Sequence, residues 1–269
     1  MRAKTGGTVT MDLGLDGRTA IVTGGSKGIG LAVARGLADS GVRVITGART
    51  SSPELDLLQR EGRVQASVID LSDPAGPARL AALAEGPVDI LVNNVGGAPA
   101  RTGGFLSISD EDWLATINLD LMAAVRTTRS VLPAMLAAGR GSIVTICSVN
   151  ARLPDPGVLD YSVAKAGLAS FCKALSKEVG PAGIRVNTVS PGPVATDLWL
   201  GADGVAQTVG HATGSAADDV ARKAASQMIT GRFTQASEVA DLVVFLASDR
   251  AGNVTGADFV IDGGLLTTL

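Results

Sequence analysis

The segment Thr23–Gly30 reads TGGSKGIG and directly follows a short apolar run, Thr19–Thr23. A helical pattern, Ile29–Ser40, comes next and ends at Gly41, a residue type that commonly terminates helices. The glycine spacing differs from the usual G-x-G-x-x-G, but these glycines still permit a tight turn between strand and helix. They also let backbone N–H groups and the helix dipole approach a pyrophosphate. The segment therefore predicts a phosphate-binding turn, with an ordinary glycine-rich turn as the alternative.

Short, almost wholly apolar runs alternate with helical patterns along the rest of the chain, as is typical of parallel strands covered on both faces. The predicted strands are Thr19–Thr23, Val42–Thr46, Val64–Asp70, Ile90–Asn93, Ser142–Ser148, Arg185–Ser190 and Asp258–Ile261. The predicted helices are Ile29–Ser40, Pro74–Ala84, Asp110–Ala138, Val158–Val179 and Ser237–Ser248, with Ser109 and Ser237 as N-caps. This alternation predicts an α/β fold, a doubly wound, Rossmann-like parallel sheet of about seven strands with helices on both faces.

The alternation is interrupted at 194–231, a long segment rich in Gly, Ala and Thr that also contains Leu198, Trp199 and Leu200. Because so long a loop in a compact domain is usually functional, we interpret this segment as a substrate lid. Residues 1–12 are predicted to be a flexible N-terminal tail, and residues 13–269 a single dinucleotide-binding domain.

The composition excludes several classes of protein. The 269 residues carry a net charge of −3 without any block of like charges, which disfavours nucleic acid as a partner. No apolar run reaches the length of a membrane span and nothing resembles a signal peptide, so we expect a cytoplasmic protein that does not bind membranes. Cys147 and Cys172 lie in apolar segments and are predicted to be buried thiols, with no spacing typical of a metal or disulfide site.

The end of the second predicted strand indicates which dinucleotide binds. An acidic residue there would favour NAD, but the chain has Ala48 and Arg49 and no carboxylate before Glu54. Lys27 lies within the glycine turn, and two cations near the ribose suit a 2′-phosphate. We therefore predict NADP(H), with two solvated surface charges as the alternative.

Further polar residues follow the third and fourth predicted strands. Asp70 is placed to accept a hydrogen bond from an adenine amino group. Asn93 and Asn94 are placed either to contact the adenosine ribose or to hold strand ends together, and for Asn93 the second role is at least as plausible.

Tyr161 is the only tyrosine in the chain, and Lys165 lies four positions later on the same face of a predicted helix. An unperturbed phenol titrates near pH 10, and a neighbouring ammonium is expected to lower its pKa. Such a phenol can exchange a proton with a carbonyl oxygen, and Ser148, at the end of the fifth predicted strand, can hold the same oxygen. For a Tyr-x-x-x-Lys pattern alone, an amphipathic helix surface is the alternative.

Together these motifs resemble the classical short-chain dehydrogenase/reductase family, including its 3-oxoacyl-thioester reductases, from about Leu15 to Gly264. The resemblance rests on TGGSKGIG at 23–30, NNVG at 93–96, Ser148, YSVAK at 161–165, PGPVAT at 191–196 and IDGG at 261–264. Val95 departs from the pattern, since the family usually has Ala there, and Gly96, Gly97, Gly103 and Gly104 make a looser connection than expected.

The resemblance implies a catalytic role for Tyr161 as acid/base, for Lys165 as a ligand of the nicotinamide ribose, and for Ser148 in orienting the carbonyl. It also implies that Asn118 holds a water linking Lys165 to solvent. The motifs and the resemblance together make the cofactor-binding set Gly24, Ser26, Lys27, Gly28, Ile29, Gly30, Arg49, Asp70, Leu71, Asn94, Gly96, Tyr161, Lys165, Pro191, Gly192, Val194 and Thr196. No metal ligand is predicted.

The implied reaction is reduction of a carbonyl compound, a ketone or a 3-oxoacyl thioester, by NADPH. The alternatives are an alcohol or sugar dehydrogenase that uses NADP⁺, and a protein that senses NADP(H) without chemistry. His211, in the predicted lid, either contacts substrate or is solvated, and the second is the more common situation. The helices predicted at 110–138 and 158–179 are more apolar than one buried face needs, which favours a homo-oligomer, a dimer or a tetramer.

Overall fold

Seven parallel strands form one sheet in residues 12–268, the part of the chain that the computed structural model describes. The strands are β1 (Thr19–Thr23), β2 (Arg43–Ala48), β3 (Val64–Val68), β4 (Ile90–Asn93), β5 (Gly141–Ile146), β6 (Ile184–Pro191) and β7 (Asp258–Ile261). Their order across the sheet is β3-β2-β1-β4-β5-β6-β7, which confirms the predicted doubly wound, Rossmann-like fold. The predicted tail, residues 1–12, lies outside the described residues apart from Asp12.

The strands are short and apolar because both faces of the sheet are covered. Ala20, Ile21 and Val22 of β1 have no exposed surface. Two strands end earlier than the sequence predicts, β3 at Val68 and β5 at Ile146. Their regular pairing with neighbouring strands stops at these residues, so the polar groups that follow belong to turns at the edge of the sheet.

Ten α-helices accompany the strands within residues 12–268. They are α1 (Gly28–Asp39), α2 (Pro53–Arg60), α3 (Gly76–Ala81), α4 (Asp110–Ile117), α5 (Ala123–Ala138), α6 (Leu159–Val179), α7 (Asp197–Leu200), α8 (Val205–Thr213), α9 (Ala217–Ser226) and α10 (Ala236–Ala247). One apolar core joins α1 and α10 to the sheet, and a second joins α3, α5 and α6 to its other face. The helices therefore cover both faces, as a doubly wound sheet requires.

The helix predicted at 110–138 is continuous but contains a π-helical turn, Asn118–Met122, between α4 and α5. Ser109 caps α4 as predicted and accepts a hydrogen bond from the N–H of Asp112 at 3.2 Å. The prediction that Ser237 is an N-cap is wrong. Helix α10 begins at Ala236, and Gln235 is its N-cap, because the Glu238 carboxylate accepts the Gln235 N–H at 2.8 Å.

Two other helical regions differ from the predictions. The sequence reasoning missed α2, whose start is marked by Ser52 followed by Pro53: the Ser52 hydroxyl accepts the N–H of Leu55 at 3.1 Å. The segment 194–231 is not a long loop, because it contains α7, α8 and α9. Trp199 of this segment packs edge-on against Phe233, with ring centroids 5.3 Å apart. The interpretation of 194–231 as a substrate lid stays a prediction.

Cys147 and Cys172 are buried and unpaired among the described residues, which confirms the prediction of buried thiols. Across residues 12–268, no helix combines the length and apolar character that crossing a bilayer demands.

Candidate active site

The candidate site lies at the carboxyl ends of the strands, where the strand order reverses between β1 and β4. In doubly wound sheets ligands bind in the crevice beyond this point. The glycine turn follows β1, NNVG ends β4 and continues beyond it, and Ser148 follows β5. The segment 191–196 continues from β6. The topology therefore brings together motifs that are far apart in the sequence.

The glycine turn presents the N-terminus of α1 to this crevice. Gly24 and Gly28 adopt the left-handed region, with φ +71° and +56°, and a Cβ on Gly30 would overlap the main-chain oxygen of Gly24. Within the described chain, Lys27 makes no side-chain cap to α1, and the first turn of the helix carries no acidic residue. The first N–H groups of a helix have no intrahelical acceptor. This end of α1 thus fits an anion such as a pyrophosphate.

Asn94 ties the glycine turn to the end of β4. Its Nδ2 donates to the main-chain oxygens of Thr23, at 2.9 Å, and Gly24, at 3.1 Å. The Thr23 hydroxyl in turn accepts the N–H groups of Asn94 and Val95. The side chain of Asn94 therefore shapes the turn. Of the two roles predicted from the sequence, this favours holding strand ends together over contact with the adenosine ribose.

Asn93 points into the core rather than toward the crevice. It is buried, and its Nδ2 donates to the hydroxyl of Thr128 at 3.1 Å and to that of Thr145 at 3.4 Å. Its Oδ1 has no hydrogen-bond partner among residues 12–268. Asn93 therefore holds β4 to α5 and β5.

Lys27 and Arg49, the two candidate phosphate-binding cations, are both exposed. The Lys27 Nζ lies 3.7 Å from a carboxylate oxygen of Asp197, and both side chains are largely in solvent. Arg49 lies near enough to Asp70 to help lower its pKa, although hydrogen bonds from Ser72 to that carboxylate contribute more. Asp70 is thus an exposed, ionised carboxylate at the edge of the crevice.

Some of the other residues predicted to bind the cofactor have side chains that are buried and therefore unavailable to a ligand. The side chain of Leu71 is buried in the core, so only its main chain is available to a ligand. Val194 is also buried and forms an isolated bridge with Thr234. Thr196 lies against the glycine turn, since its Cγ2 would be 3.3 Å from a Cβ on Gly28. The predicted residues Ser26, Ile29, Gly96, Pro191 and Gly192 lie in the same turns or in the segments next to them.

Tyr161, Lys165 and Ser148 lie beside this crevice, on α6 and after β5. The Lys165 Nζ lies 5.5 Å from the centroid of the Tyr161 ring and donates to the main-chain oxygen of Ile146 at 3.3 Å. The Ser148 hydroxyl accepts the N–H of Asn150 at 3.1 Å and is close enough to Tyr161 to lower its pKa. Three of the four residues predicted to serve catalysis therefore have neighbouring side chains, and the fourth is Asn118.

The expectation that Lys165 lowers the pKa of Tyr161 overall is wrong. Burial raises the pKa of the phenol above its ordinary value, and the ammonium of Lys165 offsets only part of this effect. The carboxylate of Asp120 raises the pKa of the phenol further. As the structure stands, Tyr161 is a protonated phenol near neutral pH.

Asn118 does not direct its side chain toward Lys165. Its Nδ2 donates to the main-chain oxygen of Ser72 at 2.8 Å, and its Oδ1 accepts from Arg126 at 2.6 Å. The residue beside the ammonium is instead Asp120, whose Oδ1 lies 3.5 Å from the Lys165 Nζ. Sequence reasoning missed Asp120, although a lone acidic residue in the apolar middle of a predicted helix was a usable signal.

A family model and several known proteins match most of this chain. Residues 24–266 match the family model described as enoyl-(acyl carrier protein) reductase. The chain belongs to the short-chain dehydrogenase/reductase family. The 3-oxoacyl-(acyl-carrier-protein) reductase FabG of Escherichia coli is 34% identical over 94% of this chain and 99% of its own length. The oxidoreductase UcpA of Escherichia coli is 36% identical over 93% of this chain and 95% of its own length.

A solved member of the family is similar along its whole length. L-Sorbose reductase from Gluconobacter frateurii, in complex with NADPH and L-sorbose, superposes with a TM-score of 0.87 and 34% identity, covering 96% of this chain and 100% of its own. Val95, where the sequence departs from the family pattern, packs against the core that contains α3, α5 and α6.

A buried ion pair next to Tyr161 also escaped the sequence reasoning. Asp160 is fully buried and accepts hydrogen bonds from the Nε of Arg101, at 3.2 Å, and from the hydroxyl of Thr116, at 2.7 Å. Arg101 also binds Asp112 of α4 and donates its main-chain N–H to the oxygen of Gly157. The connection 96–104, which the glycines made look loose, is thereby attached to both α4 and α6.

Proposed function

We propose that this protein reduces a ketone carbonyl to an alcohol with NADPH, and that Tyr161 is the acid that protonates the oxygen. The observation that supports this most is the meeting of Tyr161, Lys165 and Ser148 in the crevice, where the Lys165 Nζ also lies close to Gly96 of the NNVG segment. Tyr161, a protonated phenol near neutral pH, is able to give its proton to the carbonyl oxygen.

The donor set fits NADP(H). The N-terminus of α1 suits the pyrophosphate, and the exposed cations Lys27 and Arg49 suit a 2′-phosphate. Complexes of a structural neighbour with NADPH support the same assignment. When bound, NADPH supplies the hydride that reduces the carbonyl carbon. The chain would hold it through the cofactor-binding residues predicted from the sequence, with the buried Leu71 and Val194 contributing main-chain atoms and Asn94 shaping the glycine turn.

The protein's own residues then manage the carbonyl oxygen. The Ser148 hydroxyl, which donates to the Asn150 Oδ1 at 3.1 Å, would turn to donate to this oxygen and orient it. The Tyr161 phenol gives it a proton, and the Lys165 ammonium stabilises the phenolate that remains. A water that resupplies the proton can be held by Asn118 only through its main-chain oxygen, which accepts the Ala123 N–H but retains a second lone pair.

A second candidate is interconversion of a sugar ketone and its alcohol, since a neighbour of known structure is an L-sorbose reductase. Its discriminating feature is the wall of the substrate site. Leu198 and Leu200 are exposed directly after the segment 191–196, which favours a moderately apolar ketone or a 3-oxoacyl thioester. The amide of Asn150, beside Ser148, offers hydrogen bonds that a polyhydroxy ketone would use.

The test is a panel of carbonyl substrates, namely a 3-oxoacyl thioester, a simple aliphatic ketone and L-sorbose, with NADPH consumption followed by absorbance. Turnover of any of the three supports the proposed reduction and identifies the class of substrate. A protein that binds NADPH but consumes it with none of them contradicts the proposal and favours a cofactor-sensing role. Initial rates with NADP⁺ and the corresponding alcohols establish the preferred direction.

We also propose that the protein is a homo-oligomer. Leu114 of α4, Leu136 of α5 and Val163 of α6 expose 67%, 45% and 51% of their surface, and exposed apolar groups on neighbouring helices are typical of interfaces. The cytoplasmic location stays a prediction.

A further inference from the structure

Asp120 lies in the π-helical turn between α4 and α5, and its carboxylate meets two other segments of the chain. Only 1% of its side chain is exposed. Oδ1 lies 3.5 Å from the Lys165 Nζ on α6 and accepts the N–H of Gly97 at 3.1 Å. A Cβ on Gly96 would lie 2.5 Å from the same Oδ1 and 3.3 Å from the Nζ. The carboxylate thus lies where the NNVG segment, the π turn and α6 converge.

Asp120 lies in the π turn, on a different side of the helix from Asn118. In a regular α-helix each residue advances the side chain by about 100°, because a turn contains 3.6 residues. The extra residue of a π turn shifts the register locally. Here the Asn118 side chain meets Ser72 and Arg126, whereas Asp120 faces α6. Two polar residues only two positions apart therefore serve different sides of the helix.

The charged and titratable groups around Asp120 come from the elements packed against it. Helix α6 presents Lys165, Tyr161 and Asp160, and the end of β5 presents Cys147. Arg126 of α5 binds Asn118, and Asp112 of α4 binds Arg101. Lys165 is therefore the cation that faces Asp120, and Asp160 is compensated by its own arginine.

A buried ion pair of this kind costs desolvation energy, so stability alone is a weak reason for its presence. Burial raises the pKa of Asp120 to about 6, although Lys165 and the Gly97 N–H act in the opposite direction. Near neutral pH the carboxylate is therefore mostly ionised. Its charge acts on Tyr161 with the sign opposite to that of Lys165.

We propose that Asp120 is a positioning residue for proton transfer, whose carboxylate anchors the Lys165 ammonium and opposes its field at Tyr161, so that the ammonium stabilises the phenolate less. This proposal rests on the proposed acid role of Tyr161. Asp120 touches neither the carbonyl oxygen nor the phenol's proton in this scheme; it acts through Lys165.

Removing the charge of Asp120 should change the ionisation of Tyr161 in one direction only. Without the negative charge of Asp120, the Lys165 ammonium acts unopposed and the phenol ionises at a lower pH. Reduction requires the protonated phenol, so the alkaline limb of its pH–rate profile moves to lower pH. Oxidation of the alcohol requires the phenolate, so its rate rises at a lower pH than in the wild type.

The experiment uses the fact that Tyr161 is the only tyrosine, so the near-ultraviolet absorbance of phenolate reports this residue alone. The full-length chain without cofactor is titrated as wild type, Asp120→Asn and Asp110→Asn, with circular dichroism confirming that each sample is folded at each pH. Asp110 is exposed, begins the same helical stretch and has the same charge, so it is the matched control.

We expect Asp120→Asn to move the phenol titration down by about one pH unit, in line with the removal of a nearby like charge, while Asp110→Asn leaves it unchanged. A titration of Asp120→Asn that coincides with the wild type, or moves to higher pH, overturns the proposal. The titration involves no turnover, so it tests the effect of Asp120 separately from the proposed function. If the titration shifts but the protein reduces no carbonyl, the effect of Asp120 is upheld and the proposed function is contradicted.

A measurement on the wild type covers the case in which Asp120→Asn fails to fold. The Gly97 amide donates to the Asp120 carboxylate, so its NMR chemical shift should titrate with a midpoint at about pH 6. A midpoint well above neutral pH, which would leave the Asp120 carboxyl protonated at pH 7, contradicts the ionisation on which the proposal depends.

Discussion

Arg101 holds the buried carboxylate of Asp160, the residue immediately before Tyr161, through hydrogen bonds from both Nε and Nη2. The two residues are 59 positions apart, and only 14% of the Arg101 side chain is exposed. Charge-assisted, bidentate contacts of this kind are among the stronger ones in proteins. The pair links the connection after β4 to the first turn of the helix that carries Tyr161 and Lys165.

Replacing Arg101 with Ala should therefore lower the free energy of unfolding by about 3 kcal/mol, because it leaves a buried carboxylate without its cation. Urea denaturation measures this loss. Arg79→Ala, which removes an exposed pair with Asp73, is the control and should change stability little. If Arg101→Ala lowers the free energy of unfolding no more than Arg79→Ala does, the buried pair contributes nothing to stability.

The same pair predicts a pH dependence of stability. Burial disfavours ionisation of Asp160, but the hydrogen bonds from Arg101 and Thr116 outweigh it and lower the pKa. A carboxyl with a lowered folded-state pKa contributes stability above its unfolded pKa, about 3.9, and this contribution disappears as the pH falls through the folded value. The difference in the free energy of unfolding between the wild type and Arg101→Ala should therefore become smaller as the pH falls. Urea denaturation at several pH values measures this difference.

Tyr161→Phe should reduce carbonyl turnover by a factor on the order of 10²–10⁴, the usual contribution of a positioned acid, while leaving NADPH affinity nearly unchanged. The change removes one hydroxyl and keeps the ring over which Lys165 lies. Steady-state kinetics and fluorescence titration with NADPH separate the two effects. Near wild-type turnover would exclude Tyr161 as the acid.

Arg49→Asp should weaken NADPH binding and shift preference toward NADH, because the new carboxylate repels a 2′-phosphate and accepts a ribose hydroxyl. The measured quantity is the ratio of kcat/KM for the two cofactors. Arg43→Asp, at the opposite end of β2, makes the same charge change far from the crevice and serves as the control. An unaltered ratio in Arg49→Asp would refute the assignment of this residue.

Gly30→Ala should abolish NADPH binding, since the new Cβ would collide with the main-chain oxygen of Gly24 and the side-chain amide of Asn94, forcing the turn apart. Gly86→Ala is the matched variant, because a Cβ there meets no atom of residues 12–268 within 4 Å. Isothermal titration with NADPH compares them. Equal affinities in the two variants would show that the turn does not form the phosphate site.

If the proposed assembly exists, Leu114→Glu should dissociate it by placing a charge on the exposed apolar surface of α4. Size-exclusion chromatography with light scattering gives the mass of each form. Wild-type protein that elutes as a monomer at micromolar concentration rejects the oligomer, whatever the variant does.

Local sequence signals were sufficient to predict β1, the glycine turn and α1, because the residues that form them are adjacent in the chain. Ser52 before Pro53 was an equally local signal for α2 that was overlooked, and the Ala-rich helices within 194–231 were taken for a loop. Asn118 shows the limit of such signals: being placed in a helix does not say which way a side chain points when a π turn shifts the register.

The sequence by itself determined the fold class and the order of the motifs, because hydrophobic period and glycine placement are properties of neighbouring residues. It also made Tyr161, Lys165 and Ser148 the candidate catalytic residues. The tertiary structure decided the electrostatics. Burial, not the ammonium one helical turn away, controls the pKa of Tyr161, and the partners of Lys165 and Asp160 are Asp120 and Arg101, which lie 45 and 59 positions away. Desolvation and charge pairing depend on which segments meet in space, and the folding of the whole chain is what brings those segments together.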